Sequence, residues 1–577
     1  MGAKRRVSAD PKKPTVIDVA LRKTRPAFFL AILFSLFINI LMLTGPLYML
    51  QIYGRVIMSR NMTTLLMVTL ITIFLILVYA VLEATRSRIL VRAGVNFDNE
   101  ASEKIFNKVQ QASVVVPGAG GSQALRDLDS IREFLTGSGL LTFCDAPWVP
   151  IFIIGCFFLH AWYGVTAIIG TLVIFALALG NEFLTRRHLK DASDSSVQAS
   201  GFASAALRNA EVLQAMGMVG PLRRKWQDLH ASVLGWQSIA SNRSGLILSG
   251  TKFTRMILQM SIYGLGGYLA IIQNLSPEMM VAASIMMGRA LAPVEASVGN
   301  WRGFVSARSA YSRLQLLLRG LADTDEHIQL PRPEGDVSFE GVVAGAPGGQ
   351  SPILRGVSFR LRAGETLGVV GPSGAGKSTL ARVLVGVWPY VGGAVRLDGS
   401  ELPHWDMDQL GSRIGYLPQD IELFRGTVRE NIARFAEDCD ADVIEAAKLA
   451  GVHEMIQQLP DGYETMVGDG GRSLSGGQRQ RIGLARAVFR LPALIMLDEP
   501  NSNLDSVGET ALAAALVALK AARRTVVVIT HRPNLLMIAD KTLVLANGQV
   551  QQFGSRDEVL QRFSGPQIVS MPIAQGA

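Results

Sequence analysis

Charge is scarce in this 577-residue chain: Asp, Glu, Lys and Arg make up 18% of it, against 49% hydrophobic residues. Soluble domains carry about a quarter charged residues, so an ordinary water-soluble protein is excluded. Cysteine is scarcer still. Cys144, Cys156 and Cys439 are too few and too widely spaced for a disulfide framework or a thiolate metal site. Two of them lie in or beside apolar stretches, where reduced, buried thiols are expected. No small-residue cleavage pattern follows the first apolar run, which is also too long for a secretory signal.

What the chain has in abundance is long apolar runs, confined to its first 300 residues. Phe28–Leu50 carries no charge and is about 23 residues long, enough to cross a bilayer as a helix. Leu65–Leu82 is a second run. Trp148–Leu184 is nearly continuous and reads as a helical hairpin broken at His160–Gly164, and Phe253–Gln273 and Met279–Val298 follow. These predict six spans in an all-α transmembrane domain over residues 25–320, after an N-terminal segment of residues 1–24. With so short a segment ahead of the first span, no N-terminal peptidase domain and no leader-peptide cleavage are expected.

The formal charge of +9 invites a nucleic-acid reading, but its placement points to membrane lipid. Lys4, Arg5, Arg6, Lys12, Lys13, Arg22, Lys23 and Arg25 precede the first run, and Arg86, Arg88 and Arg92 follow the second. Basic residues beside spans mark the cytoplasmic face and attract anionic headgroups. The loops at 160–164 and 274–278 lack Lys and Arg, whereas 83–139 and 185–252 are rich in both, so these segments and both termini are expected to be cytoplasmic. Arg55 and Arg60 dissent from this orientation and are outvoted. Arg289, inside the sixth run, needs a partner or a watery cavity, with Glu295 a loose candidate. Ala124–Leu135 and Ser204–Met216 have the spacing of amphipathic helices.

A linker at 321–335 ends in Pro-Arg-Pro-Glu-Gly, and beyond it, over 336–577, strand-like and helix-like segments alternate as in an α/β domain. Thr366–Val370 reads as a buried strand. It runs into Gly371-Pro-Ser-Gly-Ala-Gly-Lys-Ser378 and then a helix from Thr379 to Val385, the strand–loop–helix setting of a phosphate-binding P-loop. Gly371, Gly374 and Gly376 let backbone N–H groups face one concavity, Lys377 would reach the β- and γ-phosphates of ATP, and Ser378 would ligate Mg²⁺. Leu494–Asp498 is an apolar strand ending in Asp498-Glu499; Asp498 would hold the Mg²⁺ shell and Glu499 would polarise the attacking water.

With Leu474-Ser-Gly-Gly-Gln478 about 20 residues before that acidic pair, the chain resembles the ABC transporters. The resemblance implies that Gln419, after the strand Ile414–Pro418, is the Q-loop glutamine and a metal ligand. It makes Ser502-Asn-Leu-Asp505 the D-loop and His531 the switch histidine contacting γ-phosphate. It further implies a head-to-tail homodimer, in which Ser475, Gly476, Gly477 and Gln478 of one copy cover ATP bound at the other's Lys377, Ser378 and Thr379. The two amphipathic helices, and Val467–Gly471, would carry closure to the membrane domain. The aromatic that exporters stack on adenine is missing: Val343–Gly349 contains none.

The first run narrows the resemblance. Gly45-Pro-Leu-Tyr-Met-Leu-Gln-Ile-Tyr-Gly-Arg-Val56 and Gly288-Arg-Ala-Leu-Ala-Pro293 are similar to type I secretion exporters of the protease- and glycanase-exporting subfamily. One departure is Gly54, where that group commonly has Asp. The resemblance implies an inner-membrane ATPase exporting unfolded polypeptides, often calcium-binding repeat proteins with a C-terminal signal. Its implied partners are a periplasmic membrane-fusion protein and a TolC-type outer-membrane channel. An exporter of lipid or small molecules shares every ATPase motif, and a non-transport ATPase is disfavoured by the fused spans.

Overall fold

The structure is a computed structural model describing residues 14–115, 121–319, 330–349, 351–471 and 473–563. The described residues form two compact units, one helical and ending at Arg319, the other mixed α/β and beginning at Leu330.

The helical unit comprises α1 (Val16–Leu41), α2 (Thr44–Gln51), a π-helical turn (Ile52–Val56), α3 (Ile57–Ser59), α4 (Met62–Val115), α5 (Gly121–Thr136) and α6 (Ser138–Asp145). It continues through α7 (Val149–Leu159), α8 (Ala161–Arg208), α9 (Ala210–Ala215), α10 (Val219–Gln273), α11 (Pro277–Gly299) and α12 (Trp301–Arg319). Among the described residues, six helical stretches are long and apolar enough to cross a membrane, in the order the sequence predicts. At 54, 48 and 55 residues, α4, α8 and α10 far exceed the roughly 20 residues that a bilayer requires, so each also extends into water.

Local chemistry sets the boundaries. Thr15 and Asp18 form a reciprocal capping box that starts α1 well before its apolar run. The hairpin expected to break over His160–Gly164 breaks at one residue: His160 is extended, and its Nδ1 accepts the Trp162 N–H at 3.3 Å. Ser204–Met216, expected as one helix, is two. Asn209 leaves helical geometry between α8 and α9, and Gly217 then takes φ +64°. Small residues let the spans approach: a Cβ on Gly266 would lie 2.6 Å from both the Tyr163 hydroxyl and the Met280 side chain.

One cluster of polar residues inside this unit is paired across helices, whereas Asn181, equally buried, has no side-chain hydrogen-bond partner among the described residues. Arg86 of α4, only 3% exposed, donates to Ser35 of α1 at 2.6 Å, to both Glu83 oxygens, and to Asp145 at the end of α6. Asn39 donates to the same Asp145 oxygen at 3.3 Å. Glu295 is taken by Arg255 of α10 at 3.3 Å and not by Arg289, which lies six positions back along α11 and is exposed. Gly54 also gains a reason. A Cβ there would stand 2.9 Å from Oε1 of Glu278, so the Asp common in similar exporters would meet a carboxylate head-on.

The α/β unit holds two main sheets. The antiparallel one runs β2-β1-β4-β5, from Val337–Ala344 (β1), Leu354–Leu361 (β2), Tyr390–Leu397 (β4) and Ser400–Glu401 (β5). The other runs β12-β11-β3-β10-β9-β6, from Thr366–Val370 (β3), Ile414–Leu417 (β6), Leu494–Asp498 (β9), Thr525–Ile529 (β10), Lys541–Ala546 (β11) and Gln549–Ser555 (β12). Only β12 is antiparallel in it. A two-stranded ribbon, β7 (Gly426–Thr427) with β8 (Met466–Val467), completes the strands. Every residue of β9 and β10 is buried, which is why both read as unbroken apolar runs. Within 331–335 the backbone is anchored to this unit: Glu334 and Gly335 N–H groups donate to Asp398, and Thr525 donates to the Gly335 carbonyl at 2.8 Å.

Removing one member of a buried ion pair leaves the other charge unpaired, at a cost of about 3–5 kcal/mol. Arg86→Leu should therefore destabilise the helical unit by about that much, and Asp145→Asn added to it should recover part of the loss. Thermal unfolding in detergent, read by helical circular dichroism, checks both.

Candidate functional site

Five parallel strands end along one edge, and their following loops meet there. Val369, Ile529 and Asp498 are register partners on β3, β10 and β9, so the loops after them leave the sheet at one level. Such an edge is where open α/β sheets bind ligands.

The loop after β3 turns through Gly371, Gly374 and Gly376, all at positive φ. At Gly371 a Cβ would come within 2.1 Å of the Leu545 carbonyl, so no other residue fits. The helix α13 (Lys377–Leu384) begins on the lysine, and its first-turn N–H groups open onto the loop. Lys377 is buried and donates to the carbonyls of Gly371 at 2.7 Å and Pro372 at 3.0 Å. Ser378 hydrogen-bonds Asp498, and Thr379 is buried beneath the loop.

Asp498 is 2% exposed and its Oδ1 has no hydrogen-bond partner among the described residues. Burial pushes its carboxyl above the ordinary aspartate value; the Ser378 hydrogen bond opposes this and the neighbouring Glu499 charge adds to it. Glu499 takes a left-handed φ of 49°, rare for a residue with a side chain. That conformation turns its carboxylate across the strand ends, where Gln419 Nε2 donates to it at 3.1 Å and His531 Nε2 stands 3.8 Å away. Residues at and just after the ends of β3, β6, β9 and β10 are thus brought to one edge of the sheet.

The signature residues belong to a different corner. Ser475 caps the helix Gly476–Val488 in a capping box with Gln478. Gly476 and Gly477 lie against Asn503 of the D-loop. Among the described residues, none of Ser475, Gly476, Gly477 and Gln478 hydrogen-bonds the P-loop. Asp505 caps the helix Ser506–Ala521. The Gly508 N–H, and after it Arg481, hold its carboxyl below its ordinary value. Ala346, in the stretch without an aromatic, is exposed in a tight turn closed by Gly349 N–H to its carbonyl.

Gln480 is a residue that motif reading passed over. It is 2% exposed, and its amide donates to the Glu499 carbonyl at 3.2 Å and the Ser502 hydroxyl at 3.3 Å, while accepting the Asn503 N–H at 2.8 Å. One side chain thereby joins the signature helix, the left-handed Glu499 and the D-loop. The available signal was a polar residue two places past Gln478, on the apolar face of the helix. Arg434 performs a similar bridging task. It donates to the carbonyls of Gly411, Ile414, Arg486 and Ala487, and burial lowers its pKa to about 10, which leaves it charged at neutral pH.

Gln480→Ala should lower kcat about tenfold or more while leaving KM for nucleotide within about threefold, because it loosens Glu499 without touching the P-loop. Gln480→Glu should not rescue turnover, since a carboxylate cannot donate to the Glu499 carbonyl. Steady-state ATPase assays on purified protein read both.

Comparison with known proteins agrees with this geometry. The ABC transporter transmembrane region matches residues 28–292, and the ABC transporter family matches residues 354–502. The chain is 41% identical to the type I secretion system ATP-binding protein PrsD of Rhizobium meliloti (strain 1021), over 95% of each chain. It is 29% identical to the leukotoxin translocation ATP-binding protein LktB of Bibersteinia trehalosi, over 95% of this chain and 78% of that one. A bacterial Atm1-family ABC exporter solved with ATP bound shares the fold, with a TM-score of 0.78 at 24% identity over 93% of this chain and 96% of that chain. The chain therefore belongs to the ABC transporters, among the ATP-binding proteins of type I secretion systems.

Proposed function

We propose that this multi-pass membrane ATPase is the inner-membrane engine of a type I secretion system, moving unfolded polypeptides, calcium-binding repeat proteins with a C-terminal signal among them, out of the cell. The observation that carries the reading is the union, in one chain, of six apolar spans with a strand-end cluster of Lys377, Ser378, Gln419, Asp498, Glu499 and His531. Similarity to PrsD along nearly its whole length supports it. The partners would be a membrane-fusion protein, a TolC-type channel and a second copy of this chain, with both termini cytoplasmic.

The residues fit Mg²⁺ with ATP. The Asp498 Oδ1 atom is buried without a donor, as an oxygen reserved for a cation would be, and Ser378 and Gln419 supply further oxygens. Bound there, the ion would neutralise charge developing on the phosphates. Lys377 would exchange the Gly371 and Pro372 carbonyls for phosphate oxygens. Glu499 would take the proton of the attacking water, its carboxylate aimed by Gln419 and His531. Ser475, Gly476 and Gly477 of the second copy would close over the γ-phosphate, with Asp505 beside them.

Glu499→Gln should keep ATP binding but lower turnover at least about a hundredfold, because the proton acceptor is lost while Asp498 remains. Equilibrium binding beside steady-state ATPase checks this, and near-normal turnover would remove Glu499 from the role. At the base, Ala346 offers only a methyl group where stacking on an aromatic contributes about 1–3 kcal/mol. GTP should then compete with ATP to within about tenfold, and a strong ATP preference in a competition assay would assign base recognition to another residue. For the transport reading, cells lacking this chain should retain the repeat protein internally. Wild type should restore it to the medium, and Lys377→Ala should not.

A further inference from the structure

Beyond their apolar stretches, α8 and α12 enclose a continuous groove inside the helical unit, also walled by α5 and α10. It consists of two cavities of about 390 and 530 Å³ that share Val305, Ser309 and Arg313. Its cations are Arg126 on α5, Arg186 and Lys190 on α8, and Arg302, Arg308, Arg313 and Arg319 on α12. Serines from α5, α8 and α12 fill much of the remaining lining.

The carboxylates do not balance these charges. Arg313 is held by Asp127 at 2.6 Å and by Asp194 at 3.8 Å. Glu182 is shared between Arg186 at 3.5 Å and Arg308 at 3.7 Å. Lys190 and Arg319 are exposed and form no ion pair among the described residues. Seven lining cations against two lining carboxylates, Asp127 and Asp194, with Glu182 beside them, leave a positive surface that hydrogen-bonding serines extend.

The dimensions select the ligand. From Arg302 to Arg319 the helix rises about 25 Å at 1.5 Å per residue, which matches seven or eight residues of extended chain at about 3.3 Å each. On α8 the groove continues to Ser200, about 20 Å past Arg186, where the apolar stretch has ended, so a lipid headgroup could reach only its near end. We propose that this groove binds an extended, acidic stretch of the exported polypeptide before it enters the membrane. The proposal rests on the protein-export reading and deepens it by naming the charge of the cargo segment.

The full chain in detergent, with a fluorescent octapeptide of alternating Asp and Gly, tests this by anisotropy. Wild type should bind it, more weakly at 500 mM than at 50 mM salt, and should bind a Lys-Gly octapeptide at least tenfold less well. Lys190→Glu/Arg319→Glu should weaken Asp-Gly binding at least tenfold with basal ATPase unchanged, and Lys190→Gln/Arg319→Gln should fall between. Equal affinity in wild type and the charge-reversed variant overturns the proposal. So does loss of short-chain phosphatidylglycerol binding without loss of peptide binding, which would assign the groove to lipid. These outcomes are independent of the cellular secretion assay: wild type that binds the peptide yet restores no export counts against the secretion reading alone.

Discussion

Everything chemical in this protein hangs on the level pairing of β3, β10 and β9. Parallel strands in one register all finish at the same edge. Residues more than a hundred positions apart, such as Lys377 and Asp498, are thereby delivered to one place without any long loop having to find its way. The pairing is secured by complete burial of β9 and β10, so the position of Asp498 and Glu499 is ultimately fixed by apolar packing. Against that rigid edge the backbone can hold Glu499 in a left-handed conformation that costs about 1–3 kcal/mol. The Glu499 N–H to Ile529 carbonyl bond and the Gln480 amide oppose its relaxation.

The helical unit solves the opposite problem. In hydrocarbon, backbone groups must be satisfied within each helix, so the spans are helical almost throughout; the first bends between Leu41 and Thr44 and through the π-helical turn, while Asn209 interrupts the chain where it has become polar. Charges that remain inside are cross-linked: Arg86 draws α1, α4 and α6 onto one guanidinium. Gly54 shows the same economy at small scale, a missing side chain making room for a carboxylate on another helix. Beyond the apolar stretches the constraint reverses, and α8 and α12 separate enough to leave a water-accessible, positively charged groove.

Six spans, their order and the P-loop setting were legible in the residues themselves. Apolar runs of bilayer length, and a Gly-rich turn between an apolar strand and a helix, each have a local cause that needs no tertiary partner. Gly371, Gly374 and Gly376 announce themselves because a positive φ is a property of one residue and its neighbours. Partners across space did not announce themselves. Glu295 is four positions from Gly299 and six from Arg289, but its charge is met by Arg255, forty residues away and on another helix. Only the packing of α10 against α11 decides that. The same holds for Gln480, whose role exists because the signature helix lies beside the turn after β9. Local composition thus determined which elements form and which groups can do chemistry. The tertiary structure decided which groups meet, because pairing energies are won between elements whose separation no spacing along the chain encodes.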